Sequence, residues 1–477
     1  MIGRALLVEH ARPSAIREHR LAGWLAVGTV CMGAFMGQLD ASIVTLTFPT
    51  VQAEFRAPLA AVEWISLSYL LTLVGLVAAA GRLSDAIGRK LMYLYGFVIF
   101  TAASAACALS PSLPLLIAFR VAQAVGAALL QANSIALVVT SVPRERMRDA
   151  LSVQAAAQAL GLALGPTVGG VLVAAAGWQW VFWVNVPVGL VALVAGHYLL
   201  PRTRERTPVG AFDWPGLALL AGASTAFLLA LSAASGLGAA PAEVAALVVV
   251  STVAAGAFVL RERRARSPLV DLGVVRPPAV SVGLVGAMGA YLVLFGPLTL
   301  FPQVFAAGEV STRVGLAISA LPAGFAIAAV AGSRLLGGVS TRTRALAGGV
   351  LAALALTALV VTVGADDGLG VVALWLGVLG IGLGVFIPAN NAAIMGAIPA
   401  RAAAVGGGLL NMGRGFGTAL GVAIVALCLH AGSTPGGTHE AGARLALLSL
   451  LAVAVIAAVA GALPRSPEGT QASLDEL

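Results

Sequence analysis

Residues 60–109 read AAVEWISLSYLLTLVGLVAAAGRLSDAIGRKLMYLYGFVIFTAASAACAL. Two apolar runs, 60–81 and 91–109, enclose the ten residues GRLSDAIGRK, which hold Arg82, Asp85, Arg89 and Lys90. At 1.5 Å rise per helical residue, each run spans about the 30 Å hydrocarbon layer of a bilayer. The same alternation continues in both directions. Further runs fall near 21–48, 113–141, 150–176, 179–200, 213–235, 242–260, 278–305, 313–336, 345–364, 369–396, 402–430 and 442–463. Fourteen spans of about 22 residues use roughly 308 of the 477 residues and leave about 169 for tails and loops. That remainder excludes a substantial extramembrane domain. Hydrophobic residues make up 59% of the chain and charged residues 10%, against about 25% in a soluble protein. No soluble core hides so much apolar surface, so the expected fold class is an all-α polytopic membrane protein.

The net charge of +8 does not describe a nucleic-acid patch. The 28 basic residues are Lys90 and 27 arginines, most of them in short gaps between apolar runs. With the N-terminus inside, 23 of them fall on inner segments and three, Arg56, Arg313 and Arg444, on outer ones. Arg120 and Arg414 fall within spans. The bias predicts an even span count with both termini in the cytoplasm, in a multi-pass protein of the cell membrane. Cys31, Cys107 and Cys428 are far apart and suggest neither a disulfide framework nor a metal site. A phosphate-cradling loop needs Gly before Lys, and Lys90 follows Arg89. His439 and Glu440 begin a zinc-protease pattern that fails at Ala443. No metal or other cofactor is therefore expected, and energy must come from an ion gradient.

Such a mechanism needs a titratable group within the membrane. Asp40 is the one carboxylate deep in a span, where a charge is costly. At 100° per residue it shares a narrow face with Thr29, Gly33, Gly37 and Thr47, the pattern of a cavity wall. Arg120, Gln123, Gln131 and Ser134 fall within an arc of about 80° on the fourth span. Arg cannot shed its charge, so Arg120 requires an anionic partner, and Asp40 is the membrane-embedded one. In the fifth span, Gly161, Gly165 and Gly169 align with Gln154 and Gln158, so another helix can approach closely, while Pro166, between Gly165 and the pair Gly169 and Gly170, bends the helix. In GRLSDAIGRK, Gly81 and Gly88 permit tight turns, and Asp85 sits among Arg82, Arg89 and Lys90 as a conformational latch. Asn390, Asn391 and Asn411 hydrogen-bond either substrate or a neighbouring helix. Arg414 meets a substrate anion or supports helix packing, and Gln123, Gln131, Gln154, Gln158, Asn390, Asn411 and Arg414 together form the candidate substrate cavity.

Together these stretches resemble a known family, the major facilitator superfamily, and within it the fourteen-span drug:proton antiporters that export multiple drugs and quaternary ammonium compounds. Gly81, Leu83, Asp85, Gly88, Arg89 and Lys90 match its loop 2–3 signature, and Leu39, Asp40, Ile43, Val44 and Pro49 its first-span signature. Arg120, Gln123 and Gly126 look like the fourth-span motif. Gly161, Gly165, Pro166, Gly169 and Gly170 match the antiporter motif of span 5. Trp178, Trp180, Phe182, Asn185, Pro187 and Gly189 are similar to the sixth-span run, and Phe212, Asp213 and Gly216 to the start of the extra seventh span.

The resemblance implies a tail (1–20), a six-helix bundle (21–200), a linker with spans 7 and 8 (201–277), a second six-helix bundle (278–463) and a C-terminal tail (464–477). It implies alternating access around a central cavity, with Asp40 in proton coupling, Arg120 in proton transfer and Asp85 in the latch. Partners expected are a small-molecule substrate, protons and the bilayer, with the chain a monomer. Gly337 stands where a second latch would repeat Asp85, which puts that latch in doubt. The expected activity is proton-coupled export of small amphipathic drugs or antibiotics. Export of one endogenous metabolite or self-made antibiotic is the alternative, and a membrane-embedded enzyme the remote one. One negative intramembrane charge, Asp40, against two positive, Arg120 and Arg414, predicts neutral, weakly basic or anionic substrates over dications.

Overall fold

The computed structural model describes residues 9, 12–203, 213–265, 268–270, 272–305, 312–336, 338–362, 369–398, 403–433 and 439–462. Among them there is no strand, and 14 helices are long and apolar enough to cross a membrane. Spans 1–6 are Ala22–Phe55, Leu59–Ile87, Arg89–Ala108, Leu113–Ser141, Asp149–Ala176 and Trp180–Leu199. Spans 7 and 8 are Trp214–Ala234 and Pro241–Glu262. Spans 9–14 are Pro278–Phe305, Thr312–Gly332, Thr341–Thr362, Leu369–Gly396, Gly406–Gly432 and Glu440–Gly461. Consecutive spans alternate in direction, which defines a tail side, where span 1 begins, and a far side. Gly337 lies outside the described residues.

Two apolar cores organise the bundle. One gathers Tyr93, Phe97, Phe100 and Phe182 with residues of spans 1–6. The other gathers Leu298, Phe301, Leu359 and Phe386 from spans 9–14. Lipid offers helices no hydrophobic drive to associate, so close backbone approach and interhelical hydrogen bonds must supply it. Span 5 does this with its glycines. A Cβ on Gly161 would collide with the Phe35 carbonyl oxygen, one on Gly165 with the Ser42 hydroxyl, and one on Gly169 would meet Ile43 Cγ1 at 2.8 Å. The opposite face of span 5 meets span 10: a Cβ on Gly315 would lie 2.6 Å from the Pro166 carbonyl and 3.0 Å from Gly170 Cα. Gly161→Ala is therefore expected to force spans 1 and 5 apart, costing about 1–3 kcal/mol. A lowered melting temperature of the purified protein checks this; an unchanged one contradicts the packing argument.

Span 1 runs on past the apolar limit expected near residue 48, to Phe55, because a 3₁₀ turn at Val44–Thr47 leads into the helix Phe48–Phe55, whose first turn accommodates Pro49. Gly81 sits inside the helix Trp64–Ile87 rather than in a turn, and faces Ala132 of span 4. The expected turn belongs to Gly88 alone of the pair, at φ 135°. Span 7 adds Leu228 to the first core, whereas span 8 stands outside both. None of span 8's most apolar window is buried, so it faces lipid nearly all round. Its Ser251 hydroxyl donates to the Ala223 carbonyl of span 7 at 2.9 Å. Span 7 is tied to span 2 by Ser232, which accepts from Trp64 Nε1 at 3.2 Å and donates to the Glu63 carboxylate.

Asp213 caps span 7, accepting from the Gly216 amide at 3.0 Å, and pairs with Arg261 of span 8 at 3.1 Å. Burial of this carboxyl opposes ionisation, but the bonds from Arg261 and Gly216 outweigh it and hold its pKa below the ordinary aspartate value. A depressed folded-state pKa contributes stability above the unfolded value, lost as pH falls through the folded one. Wild-type melting temperature is thus expected to fall as pH drops below about 4. Asp213→Asn should lower it at neutral pH and flatten that part of the acid limb; identical pH profiles would refute the clamp.

Candidate functional site

The site has two compartments. Between the two bundles lies a cavity of about 170 Å³, lined in its first-bundle wall by Gly33, Gly37, Gln38, Tyr69, Gln131, Ser134, Gln154 and Gln158. Phe295, Asn411, Arg414, Gly415 and Thr418 supply the second-bundle wall. These positions occupy the middle and tail-side half of their spans. Towards the far side the bundles touch: Gln52 Nε2 donates to Gln303 Oε1 at 3.0 Å, and the hydroxyls of Thr167 and Ser319 lie 2.5 Å apart. The cavity is thus closed off by a layer of contacts on one side. Within it, Gln131 Nε2 reaches across to Asn411 Oδ1 at 3.1 Å.

The second compartment is sealed. Asp40 is 0% and Arg120 1% exposed, and Arg120 NH1 donates to Asp40 Oδ2 at 2.7 Å. Gln123 Nε2 donates to Asp40 Oδ1 at 3.0 Å, and Asn185 Nδ2 to the same oxygen at 3.1 Å. The guanidinium also donates to the Ile65 carbonyl at 2.9 Å and to Gln123 Oε1 at 2.5 Å. Ser104 anchors Gln123, accepting from Nε2 at 2.8 Å. Five of the first six spans therefore contribute to one charge pair, all but span 5. Tyr69 forms the partition: its ring lines the cavity, and the Arg120 guanidinium carbon sits 4.2 Å from the ring centroid on the protein side.

The expected pairing of Asp40 with Arg120 is present, but three expected placements change. Gly33 and Gly37 do wall the cavity, whereas Asp40, on the same helical arc, is turned behind Tyr69 and touches none of the open space. Gln123, expected in the cavity, belongs to the sealed pair. Gln131, Gln154, Gln158, Asn411 and Arg414 line the cavity as expected, and Gln154 Nε2 bonds the Ser134 hydroxyl at 2.5 Å. Asn390 does not line it. It is fully buried in the second bundle and donates to the Gly283 carbonyl at 2.9 Å, so it bridges helices.

Asp85 lies in the last turn of span 2 and Arg89 opens span 3, and across the Gly88 turn Arg89 Nε meets Asp85 Oδ1 at 2.9 Å. Lys90 does not join this solvent-side pair. It is 1% exposed, and Nζ donates to the His197 carbonyl near the end of span 6 at 2.7 Å, where a helix C-terminus attracts a cation. Glu9 of the tail completes the loop: it accepts from the Leu91 amide at 3.3 Å and from the Thr203 amide and hydroxyl, both at 2.9 Å. A side chain on Gly88 would strike Glu9. Sequence reasoning missed Glu9, Tyr69 and Asn185 as members of the site. Asn185 lay in a quoted motif, but nothing in its spacing pointed to Asp40.

The sequence model of the Major Facilitator Superfamily matches residues 30–422. The chain is 33% identical over 428 residues to the methylenomycin A resistance protein of Streptomyces coelicolor, covering 89% of this chain and 88% of that one. It is 31% identical over 433 residues to the tetracenomycin C resistance and export protein of Streptomyces glaucescens, covering 88% and 79%. A riboflavin transporter of Clostridioides difficile is 29% identical, covering 84% and 87%. The crystal structure of a peptide transporter superposes with a TM-score of 0.66 at 17% identity, covering 96% of this chain and 99% of that one, which speaks for the fold alone. A fourteen-span helical chain, with a cavity between two bundles and these relatives, belongs to the major facilitator superfamily, alongside its drug-exporter members.

Proposed function

We propose that the protein is a proton-coupled antiporter that exports small amphipathic drugs or antibiotics from the cytoplasm by alternating access. The observation that carries this reading is the sealed Asp40–Arg120 pair one aromatic ring away from an open cavity. A buried pair is poor evidence for stability, since apolar residues of similar volume often serve as well. Its retention beside a cavity suits a site that must change charge during a cycle. The tail side is then the cytoplasm, and the described state is open towards it or occluded from it.

In this cycle substrate enters with Asp40 ionised and held by Arg120. Conversion to the other state breaks the Thr167–Ser319 and Gln52–Gln303 contacts and exposes Asp40 to the more acidic outside. Protonation weakens the pairing and favours release of substrate. Loss of the proton inside restores the pair. Asp85 and Arg89 act as the latch on the tail side, the chain works as a monomer, and the proton gradient is the energy source.

The reading is tested in everted vesicles that have built an acidic lumen. Adding a transported compound releases protons and dequenches a lumenal pH dye; vesicles without the protein give no response. A protein that moves compounds with no proton movement would sink antiport. The riboflavin transporter among the relatives favours one specific second reading, a dedicated exporter of a single metabolite. A response confined to one compound in a chemically mixed panel selects it.

A further inference from the structure

Arg414 lies on span 13 and forms part of the cavity wall. Among the described residues it is the only ionised side chain in that wall, whose lining shows no Asp, Glu, Lys or His. Among the described residues the five ion pairs leave Arg414 out, so no carboxylate lies within 4 Å of it. The Tyr291 hydroxyl of span 9 stands beside the guanidinium as a neutral neighbour, which leaves the charge uncompensated and most of its five donors for other acceptors. Asp40 cannot serve as the counter-charge, because its oxygens accept from Arg120, Gln123 and Asn185 behind the Tyr69 ring. The rest of the polar lining is neutral: Gln38, Gln131, Gln154, Gln158, Asn411 and the hydroxyls of Ser134 and Thr418.

We propose that the cavity selects substrates bearing an anionic group, a carboxylate above all, which Arg414 binds while the glutamines of the opposite wall hold the remainder by hydrogen bonds. This deepens the export reading and rests on it. The guanidinium stays charged at every physiological pH, so its cavity-facing donors call for an acceptor, and its planar fork matches a carboxylate bidentately. A cation entering the same space meets a like charge with no acid in the wall to offset it. Outward passage of an anion and inward passage of a proton move charge in the same sense, so the exchange draws on the membrane potential as well as on the pH difference.

The test is equilibrium binding to the full-length protein in nanodiscs, with probes of one shape and three charges. Coumarin-3-carboxylate, coumarin-3-carboxamide and a 3-trimethylammonium coumarin serve, with wild type, Arg414→Gln and Arg414→Lys. Wild type is expected to bind the carboxylate about 10-fold more tightly than the carboxamide, the scale of a charge-assisted hydrogen bond, and the cation most weakly. Arg414→Gln should equalise carboxylate and carboxamide, and Arg414→Lys should keep part of the preference. The proposal is overturned if the carboxylate does not bind, if the cation binds as well, or if the preference survives Arg414→Gln. Should Arg414→Gln fail to fold, the Arg414→Lys and wild-type rankings decide alone. Binding needs no proton movement, so a carboxylate preference in a protein that moves no protons would count against antiport and leave the anion site standing.

Discussion

Asp40→Asn is expected to abolish the substrate gradient while leaving a folded, cavity-bearing protein. In the proposed cycle one proton entering across a pH difference of one unit supplies about 1.4 kcal/mol, which sustains a ten-fold concentration ratio of substrate. Asparagine offers nothing to protonate, so that ratio should collapse to one. Its amide keeps one acceptor oxygen for Arg120 and fits the same space between Gln123 and Asn185. Asp40→Glu keeps the charge but adds a methylene to a fully buried site, and should retain coupling at a reduced rate. Substrate accumulation in everted vesicles with an imposed pH difference makes the measurement. Full coupling in the asparagine variant would remove Asp40 from the mechanism.

The second large effect is on stability, and it runs in a direction that a simple contact count would not suggest. Arg120→Leu leaves the Asp40 carboxylate buried with only the amides of Gln123 and Asn185, a loss of about 3–5 kcal/mol. Adding Asp40→Leu to that variant should recover most of the loss, because a well-packed apolar pair removes both desolvation costs. The coupling in this double-mutant cycle is expected at roughly 3 kcal/mol, the upper range for contacting residues. Thermal unfolding of all four proteins in one detergent supplies the cycle. A double variant as unstable as the sum of the singles would show that the two charges act separately. The recovered protein should still move no protons, which separates the pair's part in the fold from its part in transport.

Much of the fold was legible because lipid is an undemanding solvent to read. Run length and arginine placement alone give fourteen spans, and the helices fall where those runs lie. The site was legible where spacing on one helix suffices: Arg120 with Gln123, and Gly161 with Gly165 and Gly169, share faces as rotation predicts. It was not legible where depth decides. Asp40 and Gly37 share an arc, yet the cavity reaches only one of them, because Tyr69 from another helix stands between. Gln123 and Gln131 likewise share a face but stand two turns apart, on opposite sides of that partition. Partners distant in sequence escaped too. Asn185 meets Asp40 across 145 positions, and Glu9 reaches Thr203 across 194. Periodicity within a helix carries no information about such meetings.

The four glutamines of the cavity wall, Gln38, Gln131, Gln154 and Gln158, hold a further consequence, for how such a protein changes over generations. Glutamine and glutamate codons differ only in their first base, and the two side chains have nearly the same shape. Each of these positions therefore stands one point mutation from placing a carboxylate opposite Arg414. A single such change would neutralise the guanidinium, and a second would turn the wall negative, with no helix having to move. Under selection by a cationic toxin, a population carrying this gene starts one nucleotide from its first step and two from a reversed preference.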